Sequence, residues 1–195
     1  MKQAFRLFII VAIVSHPVMV FSYEQPTHVK LSEQATKASV LGKLDEKVLI
    51  SLGLKPSIED PSQVFPNAKN NPRRIIDLVT DGADFEDSDS RSINHFYDPV
   101  HNVPLSVPLI PTYMSPDWAL DDKADINGQE FSYKRAKQYL YDALTKGTKD
   151  ERDKNFGLTF QTLGQVIHHI QDMAQPPHTR NVFPIPAAHG KRSLA

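Results

Sequence analysis

The 195-residue chain contains no cysteine. That absence excludes disulfides, thiol nucleophiles and every sulfur-ligated metal site. Net charge is nearly absent too: 22 lysines and arginines face 23 aspartates and glutamates, a formal balance of −1. Dedicated duplex-DNA binders carry a strong basic excess, so no stable duplex-DNA binding is expected. Strand patterning is missing, since no stretch alternates apolar and polar residues over a useful length, and there is no internal repeat or low-complexity tract. Outside the N-terminus, no run is long and apolar enough to span a bilayer. What is present is 40% hydrophobic and 23% charged residues, a balance suited to a folded domain and too apolar for a disordered chain. Eight histidines make a metal site possible, and with no sulfur available it must rest on imidazole, carboxylate or backbone oxygen.

The N-terminus reads as an address. Lys2 and Arg6 precede an unbroken apolar run over residues 7–14, broken by Ser15, His16 and Pro17 and resumed over 18–21. A secretory signal over residues 1–22, cleaved after Ser22, is the expectation; an uncleaved N-terminal anchor is the alternative. The mature domain would be 23–195, without Lys2 and Arg6, leaving 20 basic against 23 acidic side chains. It would be secreted or periplasmic, with no transmembrane span after signal removal.

Helical periodicity recurs along the mature chain. Residues 27–44 place Leu31, Ala35, Ala38 and Leu41 at helical spacing behind a Thr27 cap. Residues 55–72, broken by four prolines, read as loop, and 73–80 as a short helix. The acidic stretch 81–91 lacks periodicity, and the proline-rich 98–116 reads as extended or looped. Residues 131–144 form a helix with Phe131, Ala136, Tyr139, Leu140 and Ala143 on its apolar side. Residues 156–174 form another, closed by Pro176 and Pro177. The fold class that follows is all-α.

The chemistry lies with the histidines. His168 and Asp172 are four residues apart, hence on one face of a helix and able to ligate one ion. The prolines after Gln175 turn the chain back, which can return His178 to the same ion. Gly164, one turn before His168, leaves room beside that face. Taken alone, His168 and Asp172 read more readily as a hydrogen-bonded pair on an exposed helix. A second set upstream, Asp84 within Ala83-Asp84-Phe85-Glu86 and His95 within His95-Phe96-Tyr97-Asp98-Pro99, together with His28, makes a constellation. Singly, Asp84 and Glu86 read as solvated acids. Imidazole and carboxylate ligands suit zinc better than manganese or iron. His101 and His169 lie off these positions, and His169 is expected at the surface or behind the ligands.

These segments resemble the zinc-dependent phospholipase C family of bacteria, which shares its fold with fungal single-strand nucleases. The matching pieces are Thr27-His28 with Ala35, Ala83-Asp84-Phe85-Glu86, His95 through Pro99, and Leu163-Gly164 through His168, Asp172, Gln175-Pro176 and His178. In order and spacing they cover residues 27–181. The resemblance implies a multi-helix bundle around a zinc cluster of up to three ions. It implies Asp84, His95, His168 and Asp172 as a two-metal core, with Asp172 a candidate bridge, and His28 and His178 as ligands of the remaining ions. Asp84 would also orient or deprotonate the attacking water. The family has a further His/Glu pair on a later helix. Here His189 is a possible metal ligand in part of that role, and no glutamate follows it. The expectation is a C-terminally truncated member.

The function so implied is hydrolysis of phosphodiester bonds, in a phospholipid or a single-stranded nucleic acid, by a secreted zinc enzyme. A non-catalytic zinc-binding remnant of that family is the alternative, and a structural or interaction protein with incidental histidines is a third reading. Tyr97, Phe85 and Trp118 are candidates to contact substrate, although aromatic side chains usually belong to cores.

Overall fold

The structure, a computed structural model, describes residues 25–121 and 126–182. The expected leader over 1–22 and the candidate ligand His189 lie outside the described residues. The described chain is mostly helical, which agrees with the all-α reading. Among the described residues no helix is long and apolar enough to cross a membrane.

Helix α1 spans Gln25–Ala38 and is followed by a 3-10 turn, Leu44–Glu46, and a single helical turn α2, Val48–Ser51. Strands β1 (Val64–Pro66) and β2 (Pro72–Arg74) pair antiparallel, with Phe65 opposite Arg73. β1 lies where loop was expected, and β2 takes Arg73 and Arg74 from the start of the expected helix 73–80. Strands of three residues are too short to show alternation, and the pairing rests on the turn. Asn67 Oδ1 accepts from the backbone N–H groups of Lys69 and Asn71, both at 2.9 Å, while Asn70 takes a left-handed conformation.

Helix α3, Ile75–Glu86, runs six residues beyond the expected end at 80. Its second half buries Gly82, Ala83 and Glu86, residues without the bulky apolar pattern that marks a helix in sequence. A 3-10 helix (Asp89–Asn94), α4 (Ser115–Leu120), α5 (Tyr133–Thr145) and α6 (Lys149–Asp172) follow, then one turn, α7, at Pro176–Thr179. Helix α6 starts seven residues before the first apolar position of its expected span. A capping box between Thr148 and Glu151 and a Lys149–Asp153 pair hold its polar first turns.

The apolar core occupies one end of the bundle. Phe156 and Phe160 of α6 pack with Phe65 of the hairpin, with Ile75, Leu78 and Val79 of α3, and with Leu49 and Ala143. Along α6 the buried face then changes character, from Phe156 and Phe160 to Gln161, Gln165, His168 and Asp172. Helix α1 meets that polar half. It buries His28, Ser32 and Thr36, at i, i+4 and i+8, whereas Leu31, Ala35 and Ala38 are exposed. The sequence-based expectation of which α1 face turns inward is therefore reversed.

Two glycines set the distance between α3 and α6. A Cβ on Gly82 would lie 2.0 Å from the carbonyl oxygen of Gln161, and one on Gly164 would lie 2.0 Å from that of Val79. Each glycine thus admits the other helix's backbone. Gly164 leaves room, as its spacing suggested, but the room is filled by a helix. Gly164→Ala and Gly82→Ala are expected to destabilise the chain by about 3 kcal/mol each, because backbone cannot step aside as a side chain can. Gly147→Ala, with nothing within 4 Å of its added carbon, is the control and should stay within about 0.5 kcal/mol of the parent. Urea unfolding measures all three.

Candidate metal centre

The close crossing of α3 and α6 sets the lower end of α3 against the His168 turn. His168 Nδ1 donates to the backbone carbonyl of Ala83 at 2.8 Å. A carbonyl can only accept, so this bond places the proton on Nδ1 and turns the Nε2 lone pair inward. His95 is held in the same manner. It closes the 3-10 helix after α3, and its Nε2 donates to the backbone carbonyl of Glu86 at 3.1 Å. Its Nδ1 lone pair then faces the Nε2 of His168 at 3.2 Å. Two imidazole lone pairs pointing at each other are repulsive unless a proton or a cation lies between them.

Carboxylates complete the set. Asp172 Oδ2 lies 2.9 Å from His95 Nδ1 and 3.0 Å from His168 Nε2, and Asp87 Oδ1 lies 3.5 Å from both. A tetrahedral zinc with bonds near 2.0–2.1 Å needs donors separated by about 3.3 Å. The observed separations match that edge.

The other oxygen of Asp172 faces a second group. Oδ1 lies 3.3 Å from His28 Nε2 and 3.6 Å from His178 Nδ1. His28 Nδ1 donates to Gln171 Oε1 at 2.7 Å, so its Nε2 lone pair faces Asp172 and the Gln175 amide, the latter at 3.5 Å. Gln171 in turn donates to Ser32 at 2.9 Å, so the polar face of α1 is keyed to the end of α6. His178 arrives as the prolines suggested. Gln175 is extended, Pro176 and Pro177 open α7, and the His178 carbonyl accepts from the Tyr97 N–H at 2.9 Å. His178 Nδ1 and Asp172 Oδ2 are both buried without a hydrogen-bond partner. Buried polar atoms are rarely left so, and cation-binding donors are a standing exception. Asp172 thus faces His95 and His168 with one oxygen and His28 and His178 with the other, and triads of His, Asp and Glu that could hold a metal ion gather here among the described residues.

The expected ligands His28, His95, His168, Asp172 and His178 all meet. Asp84 does not join them. It is exposed on α3 and lines a surface cleft with Gln25, Lys30 and Asp81. The reason is helical phase: Ala83, Glu86 and Asp87 lie on the side facing α6, and Asp84 is turned about 100° from Ala83. Asp87, at the C-cap of α3, occupies the place expected of Asp84. Sequence reasoning did not single out Asp87, though it follows the quoted motif directly.

Glu86 differs from expectation, being buried rather than solvated. His169 is buried behind the ligands, one of the two places expected of it: its Nε2 donates to Glu86 Oε1 at 3.0 Å while its Nδ1 accepts from Ser115 at 2.9 Å. Trp118 is core, as aromatic side chains usually are, its ring N–H bonded to Glu86 at 2.9 Å. Phe85 carries Lys69 over its ring at 4.2 Å. His101 is exposed and paired with Asp98.

Electrostatics follow the geometry. Burial disfavours the Asp172 anion, but the adjacent imidazoles of His168 and His95 outweigh it and hold the carboxyl far below its usual range. Burial likewise opposes a charge on His95, yet Asp172 and Glu86 raise that imidazole to about 9. His178 and His169 are pushed down to about 4, in both by burial first.

These shifts fix the sign of the pH dependence in chelator-treated protein. Between about pH 6.5 and 9 the folded chain keeps a proton on His95 that the unfolded chain has lost, so stability falls as pH rises through that window. Between about pH 6.5 and 4 the unfolded chain takes up protons that His169 and His178 refuse, so stability falls as pH drops. The urea midpoint in chelator should therefore peak near pH 6.5. Added zinc should lift the alkaline side most, because the ion replaces the His95 proton. A midpoint that climbs steadily to pH 9 in chelator would contradict the assignment. Asp172→Asn should weaken zinc binding by more than the roughly hundredfold that loss of an outer-shell partner can cost, read by chelator competition.

Comparison of the chain with protein-family models, with curated proteins and with solved structures found no match.

Proposed function

We propose that this chain is a zinc-dependent hydrolase of phosphodiester bonds, acting after export on a phospholipid or a single-stranded nucleic acid. One observation carries the reading: a single buried carboxylate, Asp172, offers one oxygen to each of two imidazole-rich groups. Paired ions sharing a carboxylate are the arrangement that clamps both sides of a phosphate in an in-line displacement. Zinc bound here supplies Lewis acidity toward phosphate oxygens and a water acidified toward neutral pH.

The chain's own residues divide that task. Asp87, His95, His168 and Asp172 Oδ2 would hold one ion, a donor set that suits zinc. Asp172 Oδ1, His28 and His178 would hold a second, with fewer protein donors and hence room for water or substrate. Asp87 is the ligand most open to solvent, at 23% exposure, and marks the side from which a substrate approaches. It would be the carboxylate to accept a proton from an attacking water, the role the family resemblance implied for Asp84.

The four-donor position also favours a second reading, a zinc site that holds the fold and turns nothing over. Assays of zinc-loaded protein on bis(p-nitrophenyl) phosphate, phosphatidylcholine vesicles and single-stranded DNA separate the two. Hydrolysis that is lost in chelator, restored by zinc and absent in Asp172→Asn is the expected result. Tight zinc binding with no turnover on any of the three would overturn the hydrolase and leave the structural zinc site.

A further inference from the structure

Glu86 is fully buried and both of its oxygens are taken. Arg91 bonds Oε2 through Nε at 2.9 Å and through its terminal nitrogen at 2.7 Å. Oε1 accepts from the Trp118 ring N–H at 2.9 Å and from His169 Nε2 at 3.0 Å. The Arg91 guanidinium is itself enclosed, with the rings of Trp118 and Phe131 at 5.1 and 5.3 Å, and it also donates to Gln129 at 3.1 Å. Four donors from three side chains leave this carboxylate one orientation.

Glu86, His95 and His169 have the residue types of a cation site, but the arrangement argues against one. An ion there would meet a guanidinium already bound to the carboxylate. It would also need His95 Nε2, which is spent on the Glu86 backbone carbonyl. What the carboxylate does face is the outer edge of a metal-ligating imidazole. Glu86 Oε1 lies 3.8 Å from His95 Nε2, too long for a hydrogen bond and close enough for strong interaction in a dry site. One residue therefore meets His95 twice, through its carbonyl and through its charge.

We propose that Glu86 is a positioning residue for the metal centre, acting through His95, with Arg91, Trp118 and His169 fixing its carboxylate. Its carbonyl sets the His95 tautomer so that Nδ1 faces Asp172 and His168. Its carboxylate strengthens that nitrogen as a donor, as outer carboxylates do for histidine ligands of zinc. The ion is held by the inner ligands; Glu86 sets how tightly. The inference rests on the metal-centre reading above.

The test compares the parent chain with Glu86→Gln and Trp118→Phe. Glu86→Gln keeps the backbone carbonyl and removes the charge. Trp118→Phe keeps a ring and removes one bond to Oε1, and it serves where Glu86→Gln, with Arg91 left unpaired, fails to fold. Zinc affinity is read by chelator competition, and the centre itself by the visible absorption of the cobalt-substituted protein. Glu86→Gln is expected to weaken zinc binding by about ten- to a hundredfold and to shift the cobalt bands. Trp118→Phe is expected to move both in the same direction by less. A merely structural role would lower stability and leave the cobalt spectrum of the folded protein unchanged. Parental affinity and bands in Trp118→Phe, and in Glu86→Gln where it folds, would overturn the positioning role alone. A parent chain that binds neither zinc nor cobalt would overturn the metal-centre reading and the inference with it.

Discussion

The distance between α3 and α6 is the constraint on which the rest of the structure depends. Gly82 and Gly164 let two helix backbones meet where any side chain would collide with a carbonyl. At one end of that contact the helices enclose an ordinary apolar core around Phe156, Phe160 and Val79. At the other end the same closeness brings the carbonyl of Ala83 within reach of His168, while the turn after α3 returns His95 to the carbonyl of Glu86. A wider crossing would leave His168 without the Ala83 carbonyl that sets its tautomer. The candidate metal centre is thus a consequence of helix packing as much as of side-chain choice.

Backbone carbonyls do the orienting because they are unambiguous acceptors. A side-chain partner can rotate or titrate; a helix-end carbonyl is fixed by the fold. Both central histidines use one, and their inward nitrogens converge on Asp172. Around this inner set lies a second layer of amides and carboxylate. Gln171 orients His28, Gln175 donates to Asp172 Oδ1 at 3.1 Å, and Glu86 stands behind His95. The polar half of α6 is buried at little cost because most of these groups bond to one another.

Much of this was legible in the sequence, and the limits have physical causes. Helical spacing placed His168 and Asp172 together, and the proline pair returned His178 to them. Phase was harder to read. Apolar periodicity on α1 suggested a buried face of Leu31, Ala35 and Ala38, but α1 packs on a polar neighbour and buries His28, Ser32 and Thr36 instead. The same difficulty displaced Asp84 in favour of Asp87: the end of α3 could not be seen where Gly82 and Ala83 replace bulky residues, so its phase could not be carried to the acidic stretch. Glu86 passed for a solvated acid because its partners Arg91, Trp118 and His169 are brought to it only by the tertiary fold. Seeing an anionic side chain between a short-range arginine and a tryptophan would have been the available clue, and a weak one.

The central claim is that the convergence of Asp87, His95, His168 and Asp172 is a zinc site. Diffraction from crystals of the zinc-loaded protein, recorded on either side of the zinc absorption edge, tests it without reference to activity. The account predicts an anomalous peak enclosed by His95 Nδ1, His168 Nε2 and the facing oxygens of Asp87 and Asp172. Zinc bound only elsewhere, or no anomalous peak at all, would contradict it.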